Sequence, residues 1–175
     1  MNTEKLNPYD ILLYKGTGFT SWLVEVGTGS QYSHVAAVVD PIMHLGIESN
    51  TGHKAGVRTF NLRKLHSREV DVFRVKPEFH FDGAKVVSFL EDHLGAKYDW
   101  TGVISLAGLK VLSFLTLGFV KLHNDFQIKK DYFCSELVWD AFNYAGLDIV
   151  PQIGDAEITS PGDIAASQLL QKITG

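Results

Sequence analysis

The chain has 175 residues, a length typical of one domain. Hydrophobic residues make up 45% and charged residues 21%, proportions that exclude a largely disordered chain. The formal net charge is −4, so the chain has no basic surplus to neutralise phosphates and nucleic-acid binding is not expected. Cys134 is the only cysteine, which excludes an internal disulfide and a multi-cysteine metal site.

The first half of the chain predicts a sheet. An apolar strand over 10–15 precedes a short helix over 19–26 and a Gly/Ser-rich loop over 27–33. The continuous apolar run over 34–39 predicts a strand that is covered on both faces, and Asp40-Pro41 predicts a turn. Further strands are predicted over 42–48, 56–61 and 70–75.

Apolar residues at helical spacing predict three helices in the second half, over 82–94, 133–145 and 161–170. Gly95 and Gly146 are suited to end the first two helices, and Ser160 is suited to begin the third. Strands that precede helices in this way predict an α+β fold, formed as one domain over 1–175.

The segment over 101–123 is the most apolar part of the chain. Lys110 lies near its middle, where a lysine costs about 2.5–3.5 kcal/mol on membrane-insertion scales. The segment is therefore predicted to be a helical insertion packed on the core or over a groove, and membrane contact through 101–120 is not favoured. The N-terminus is polar and predicts no signal peptide. This favours a cytoplasmic location, with a cell-envelope role open if a leader was removed.

Cys134 begins a helical stripe that continues through Leu137 and Val138. With Asp131 as the predicted cap, Cys134 falls in the first turn, beside unpaired N–H groups and the positive end of the helix dipole. That setting lowers the pKa of a thiol and favours the nucleophilic thiolate. The alternative is a buried cysteine that acts as a small hydrophobe.

His34 stands out among seven histidines because it opens the apolar strand directly after the Gly/Ser loop. If the turn is centred on Pro41, paired positions sum to about 82, and Glu48 lies opposite His34 on the same face. Glu48 would then fix the imidazole tautomer, as the acid does in a nucleophile–base–acid triad. Asn50 is the alternative orienting residue.

His44 and Glu48 share a face of the predicted strand over 42–48, and His34 could join them as a third metal ligand. The chain has no closely spaced ligand motif such as HExxH. The expectation is therefore no metal and no cofactor.

Six segments together resemble the circularly permuted NlpC-like papain-fold proteins of the YiiX/YaeF type: YDILLYKG, YSHVAAVVD, IES, KYDW, YFCSELVWDAF and TSPGDIAAS. The order is diagnostic, because ordinary papain-like enzymes place the cysteine before the histidine and this chain places it after. The resemblance implies a small antiparallel sheet or partial barrel packed against helices. The apolar segment before Cys134 matches no motif of the family.

The resemblance also implies roles for individual residues. Cys134 matches the nucleophile, His34 the general base and Glu48 the acidic third member. Tyr132 and Tyr98 are placed near the cleft, where a hydroxyl would bind substrate or stabilise an oxyanion. The alternative for both tyrosines is a core aromatic ring with its hydroxyl at the surface.

The predicted function is hydrolysis of an amide bond through an acyl-enzyme. Its substrate would be a cell-wall peptide, an N-acyl amino acid or a lipid-linked amide. One alternative is a lipid acyl hydrolase or acyltransferase of the lecithin:retinol acyltransferase-like branch, suggested by the apolar 101–120 segment. Enzymes of that branch typically carry NCEHF around the cysteine, whereas this chain has FCSEL, which favours the amidase branch. A non-catalytic binding module that keeps the fold is the other alternative.

Overall fold

A computed structural model of the chain describes residues 5–16, 30–51, 55–67, 70–98, 132–153 and 159–173. The predicted helix over 19–26, most of the loop over 27–33 and the apolar segment over 101–123 lie outside these ranges. Within the described ranges, no helix is long and apolar enough to cross a bilayer.

Six strands form one antiparallel sheet with the order β4-β3-β2-β1-β5-β6. They are β1 (Ile11–Lys15), β2 (Tyr32–Asp40), β3 (Leu45–Asn50), β4 (Gly56–Asn61), β5 (Val70–Val75) and β6 (Leu170–Ile173). The central strand β2 is apolar on both faces, as its sequence predicts. Val35 and Ala37 face the main core, whereas Ala36 and Val38 join a smaller cluster on the opposite face.

The predicted start of the strand over 42–48 is wrong by three residues. β3 begins at Leu45 because the preceding residues form the turn from β2. The Asp40 carboxylate accepts the backbone N–H groups of Ile42 and Met43 at 2.8 and 2.9 Å, and His44 has a positive φ of 55°. An aspartate that binds backbone two and three residues ahead is typical of a turn.

Three α-helices and one 3₁₀ helix complete the described structure: α1 (Gly83–Asp92), α2 (Cys134–Tyr144), α3 (Pro161–Ala165) and the 3₁₀ helix Leu62–Ser67, which the sequence analysis did not predict. The helix predicted over 161–170 ends at Ala165 instead. Ser167 then turns the chain, because its hydroxyl donates to the Ile149 carbonyl at 2.5 Å and accepts the Leu169 N–H at 3.1 Å. The residues that follow form β6 against β5.

Helix α2 packs its apolar stripe onto the same sheet face as Val35 and Ala37. Leu137, Val138 and Phe142 are fully buried there. Burial of each such side chain contributes about 1.5–3 kcal/mol, so this stripe fixes the helix against the sheet. The α+β prediction is confirmed: an antiparallel sheet packs against a few helices.

Strand β4 begins where the chain after α1 passes close to it. The Val57 N–H donates to the Ala96 carbonyl at 2.8 Å, and the Gly95 N–H donates to the Val57 carbonyl at 2.9 Å. Gly56 has a φ of 127°, and a Cβ atom there would lie 2.2 Å from the Ala96 carbonyl oxygen. Position 56 therefore requires glycine for both its conformation and its lack of a side chain.

Gly56→Ala is expected to lower the free energy of unfolding by about 3 kcal/mol, because backbone strain and a steric clash act together. Gly95→Ala is the matched control, since its φ is also positive at 88° but an added Cβ meets nothing within 4 Å. The control should lose only about 1–2 kcal/mol. Urea unfolding of both variants measures the difference, and equal losses would contradict the role assigned to the close approach.

Candidate active site

Cys134 is the first residue of α2, at the helix end where backbone N–H groups lack helical partners. The predicted cap, Asp131, lies outside the described residues, and Phe133 occupies the N-cap position. The Glu136 carboxylate reaches back to the Phe133 N–H at 3.3 Å and closes the first turn. Cys134 therefore lies in the first turn, as predicted.

The surroundings of Cys134 favour the thiolate. Burial raises the pKa of the thiol, but the hydrogen bond and positive charge of His34 outweigh this effect. The backbone N–H groups of Val35 and Ser135 also donate to the sulfur, and the net result is a lowered pKa. The side chain is 6% exposed, so these donors act where little water competes.

A β-bulge precedes His34. Consecutive β1 residues Tyr14 and Lys15 pair with His34 and Tyr32, so Ser33 is an extra residue in β2. Tyr32 and Val35 consequently both face the main core. Bulges of this kind redirect neighbouring side chains and are common beside active sites.

His34 and Glu48 form the central contact of the site, with His34 Nε2 2.8 Å from Glu48 Oε2. The predicted contact between these residues is confirmed, but the predicted register is wrong by two residues. Ala37 pairs with Ile47 and Val38 with Gly46, so paired positions sum to 84 rather than 82. A shift of two residues keeps a side chain on the same face of the sheet, and Glu48 reaches His34 diagonally.

The other carboxylate oxygen of Glu48 is bound by Arg58 and Asn50. Arg58 Nε and Nη2 donate to Oε1 at 3.1 and 3.0 Å, and Asn50 Nδ2 donates to the same oxygen at 3.0 Å. Asn50, the alternative orienting residue, thus holds Glu48, which itself contacts the imidazole. Arg58 was missed by the sequence analysis, although its strand was predicted. The sequence alone does not reveal the β3–β4 register, and it is this register that places Arg58 directly opposite Glu48.

Opposite shifts in pKa mark His34 and Glu48 as a charged pair. Burial lowers the pKa of His34, but hydrogen bonds and charges of Cys134 and Glu48 raise it to about 9. Burial raises the pKa of Glu48, but His34, Arg58 and Asn50 bring it down to about 2. At neutral pH the imidazole is therefore protonated and the carboxylate is ionised.

The arrangement joins the Cys134 thiol, whose pKa is lowered, an imidazolium and a carboxylate in series. Since Nε2 of His34 is bound to Glu48, Nδ1 is the ring nitrogen left for the hydrogen bond to Cys134. Chemically, this provides a nucleophile, a proton carrier and an acid that orients the carrier.

The structure does not bring Tyr132 to this cluster. The Tyr132 ring packs edge-on against Phe89 and His93 of α1, with centroid separations of 6.3 and 5.0 Å. Burial and the charges of Asp140 and Glu136 raise the pKa of the Tyr132 hydroxyl to about 12.

Tyr98 is partly buried beside Lys97, whose carbonyl accepts the Tyr132 N–H at 3.0 Å. Its predicted role in binding substrate stays a prediction.

The described residues do not fit a metal ion. No group of three His, Cys, Asp or Glu side chains in the described ranges is arranged to hold one. His44 lies in the β2–β3 turn, so its predicted place on a strand face with Glu48 is wrong. Glu48 is already bound through both oxygens, and the Arg58 cation at 3.0 Å would repel a metal there.

Neither a protein-family model nor a curated protein matches the chain by sequence. Among solved structures, the chain is similar to the metalloprotein YiiX from Escherichia coli O157:H7, a DUF1105 protein. The TM-score is 0.68 at 16% sequence identity, and the match covers 96% of each chain. The two proteins therefore share a fold over nearly their whole length, which agrees with the predicted YiiX-type resemblance.

The ion pair predicts how stability responds to acid. Glu48 has a pKa of about 2 in the folded protein against 4.5 in a model peptide. Its contribution, about 3 kcal/mol, is therefore complete above pH 4.5 and lost as the pH falls towards 2. Urea unfolding from pH 6 to pH 2 should show a steeper loss for wild type than for Glu48→Gln. The control Glu91→Gln, at an exposed site, should follow wild type. Parallel curves for wild type and Glu48→Gln would contradict the stabilising contribution of the ionised Glu48 carboxylate.

Proposed function

We propose that the protein is a thiol hydrolase that cleaves an amide bond through an acyl-enzyme on Cys134, and that its fold is a permuted papain-like fold of the NlpC type. The observation that carries the proposal is the position of His34, hydrogen-bonded to both Cys134 and Glu48. A buried thiol with a lowered pKa, beside an imidazole with a raised one, has the charge distribution of a thiolate–imidazolium nucleophile.

In the proposed reaction, the Cys134 thiolate attacks the amide carbon and a C–S bond forms. The carbonyl oxygen becomes an oxyanion, which the Cys134 backbone N–H is suited to stabilise. The tetrahedral intermediate collapses, the C–N bond breaks and His34 gives its proton to the leaving amine. Neutral His34 then takes a proton from water, the hydroxide attacks the acyl carbon, and the C–S bond breaks to release the acid and the thiolate.

Throughout these steps Glu48 remains ionised and keeps His34 oriented. The hydrogen bond at 2.8 Å holds Nε2, so that Nδ1 carries the proton to and from the reacting atoms. Tyr98 and the apolar 101–120 segment are proposed to contribute to substrate binding. An acyl group attached to a peptide, an amino acid or a lipid would be a suitable substrate.

The test is capture of the acyl-enzyme. The protein is mixed with N-acyl amino acid p-nitroanilides and, separately, with p-nitrophenyl esters. Each reaction is quenched in acid, and the mass of the intact protein is measured by mass spectrometry. We expect an adduct of one acyl mass in wild type and none in Cys134→Ala, because Cys134 is the only thiol. Turnover of amides supports the amidase, whereas turnover of esters alone supports the lipid acyl alternative. No adduct with any donor would contradict a hydrolase and favour the binding module.

The likeness to a protein called a metalloprotein requires a metal control. Because the described residues hold no suitable ligand group, hydrolysis is proposed to need no metal ion. Prior dialysis against EDTA should leave the acylation rate unchanged. A rate restored only by added metal would contradict thiol catalysis without a metal.

A further inference from the structure

We propose that Arg58 is a positioning residue, which holds the Glu48 carboxylate in the one orientation that presents an oxygen to His34. This inference rests on the proposed function and adds a fourth residue to the site. Arg58 lies on β4, directly opposite Glu48 on β3. It acts through Glu48 and is not expected to touch the reacting atoms.

The two oxygens of Glu48 have different partners. Oε1 accepts two hydrogen bonds from Arg58 and one from Asn50, at 3.0–3.1 Å. Oε2 lies 2.8 Å from His34 Nε2. A carboxylate can rotate about its last bond, so three donors on one oxygen hold the plane of the group and keep the other oxygen directed at the imidazole.

The charges of the site alternate along the chain of contacts. In the proposed thiolate–imidazolium state, Cys134 carries a negative charge, His34 a positive one, Glu48 a negative one and Arg58 a positive one, so that they sum to zero. Glu48 is 3% exposed, and a buried carboxylate requires partners on every side to remain ionised. Arg58 supplies the second positive neighbour while its own side chain remains 36% exposed.

Geometry distinguishes the proposed role from that of a charge alone. The guanidinium is a planar group with donors in a fixed arrangement, whereas a lysine ammonium is a point charge on a flexible stem. Arg58→Lys therefore keeps the positive charge but loses the paired hydrogen bonds that Nε and Nη2 donate to Oε1. If positioning is the role, lysine should replace arginine poorly.

The first readout is the titration of His34, followed by NMR and assigned by the resonance that His34→Gln lacks. We expect Arg58→Lys to weaken proton binding by His34 about tenfold, because Glu48 no longer faces the ring in every molecule. Arg63→Met is the matched control, since Arg63 is exposed on the neighbouring 3₁₀ helix. A wild-type titration in Arg58→Lys, or tighter proton binding in that variant, would overturn the proposal.

A double-mutant cycle tests whether Arg58 acts through Glu48. The rate of Cys134 alkylation at pH 6 should fall about tenfold in Arg58→Lys and further in Glu48→Gln. In the Glu48→Gln background, the added Arg58→Lys change should have no effect on the rate. Additive losses would overturn the proposal, because they would mean that Arg58 acts independently of Glu48.

Two further measurements separate this proposal from the proposed function. Asn50→Ala removes a donor from the same oxygen and should change the His34 titration in the same direction by a smaller amount, even if Arg58 variants fold poorly. The His34 titration does not depend on turnover. A protein without acyl-enzyme but with the expected titrations would refute the hydrolase and leave the Arg58 role intact.

Discussion

His34→Gln is expected to slow the alkylation of Cys134 by iodoacetamide about 100-fold at pH 6. An ordinary thiol has a pKa near 8.5, so only about 0.3% of it is thiolate at pH 6. In the wild-type protein the hydrogen bond and charge of His34 lower the pKa of the buried Cys134. Glutamine keeps a polar group of similar size but cannot carry the positive charge that stabilises the thiolate.

The shape of the pH profile tests the same pair. The alkylation rate of the wild-type protein should already be high at low pH. The rate should change a second time as His34 loses its proton near its pKa of about 9. His34→Gln should show one rise at higher pH than the wild-type rise, because only the Val35 and Ser135 N–H groups then oppose the effect of burial on the pKa of Cys134. His93→Gln is the control, since His93 Nδ1 pairs with the Phe89 carbonyl of its own helix. A variant at position 34 that reacts like wild type at pH 6 would contradict the thiolate–imidazolium pair.

Arg74→Met is expected to lower the free energy of unfolding by about 3–5 kcal/mol. Asp10 is fully buried, and its two oxygens accept hydrogen bonds from Arg74 Nε and Nη2 at 2.7 and 2.8 Å. The Asn7 N–H also donates to Asp10 at 2.8 Å. Without the guanidinium, Asp10 remains as a buried charge whose main partner is lost.

Urea unfolding at pH 7 measures this effect, with Lys85→Met as the matched control. Lys85 pairs with Asp82 at 3.8 Å, but both side chains are about half exposed. Loss of an exposed pair costs about 0–1 kcal/mol. The double variant Asp10→Asn/Arg74→Met should recover part of the stability, because it removes the uncompensated charge. A loss no larger than that of Lys85→Met would show that the Asp10–Arg74 pair does not stabilise the fold.

The parts of the site that the sequence predicts are those set by local signals. Cys134 precedes a clear helical stripe, and His34 opens a continuous apolar run, so both positions follow from periodicity alone. The contact between His34 and Glu48 follows from a hairpin estimate whose error was two residues. An error of one residue would have placed Glu48 on the wrong face. The predicted contact is correct because the register error is an even number of residues, which leaves Glu48 on the same face of the sheet as His34.

The parts that the sequence does not predict depend on contacts between distant segments. Arg58 meets Glu48 only through the β3–β4 register. β6 was not predicted: the helix predicted over 161–170 ended at the residue where the strand begins, and the residues around Leu170 gain a strand partner only when β5 is already in the sheet. Tyr132 precedes Cys134 closely in the chain, yet its ring packs against α1, since a helix start sends neighbouring side chains in different directions.

The order of the site residues along the chain has a consequence for synthesis. His34, Glu48 and Arg58 belong to three consecutive strands, whereas Cys134 begins a helix far downstream. Proteins are made from the N-terminus, so His34, Glu48 and Arg58 leave the ribosome well before Cys134 does. Until α2 docks, the cysteine has only the reactivity of an ordinary thiol. The lowered pKa of the Cys134 thiol, which depends on His34, is therefore expected to appear only once α2 has docked on the strands.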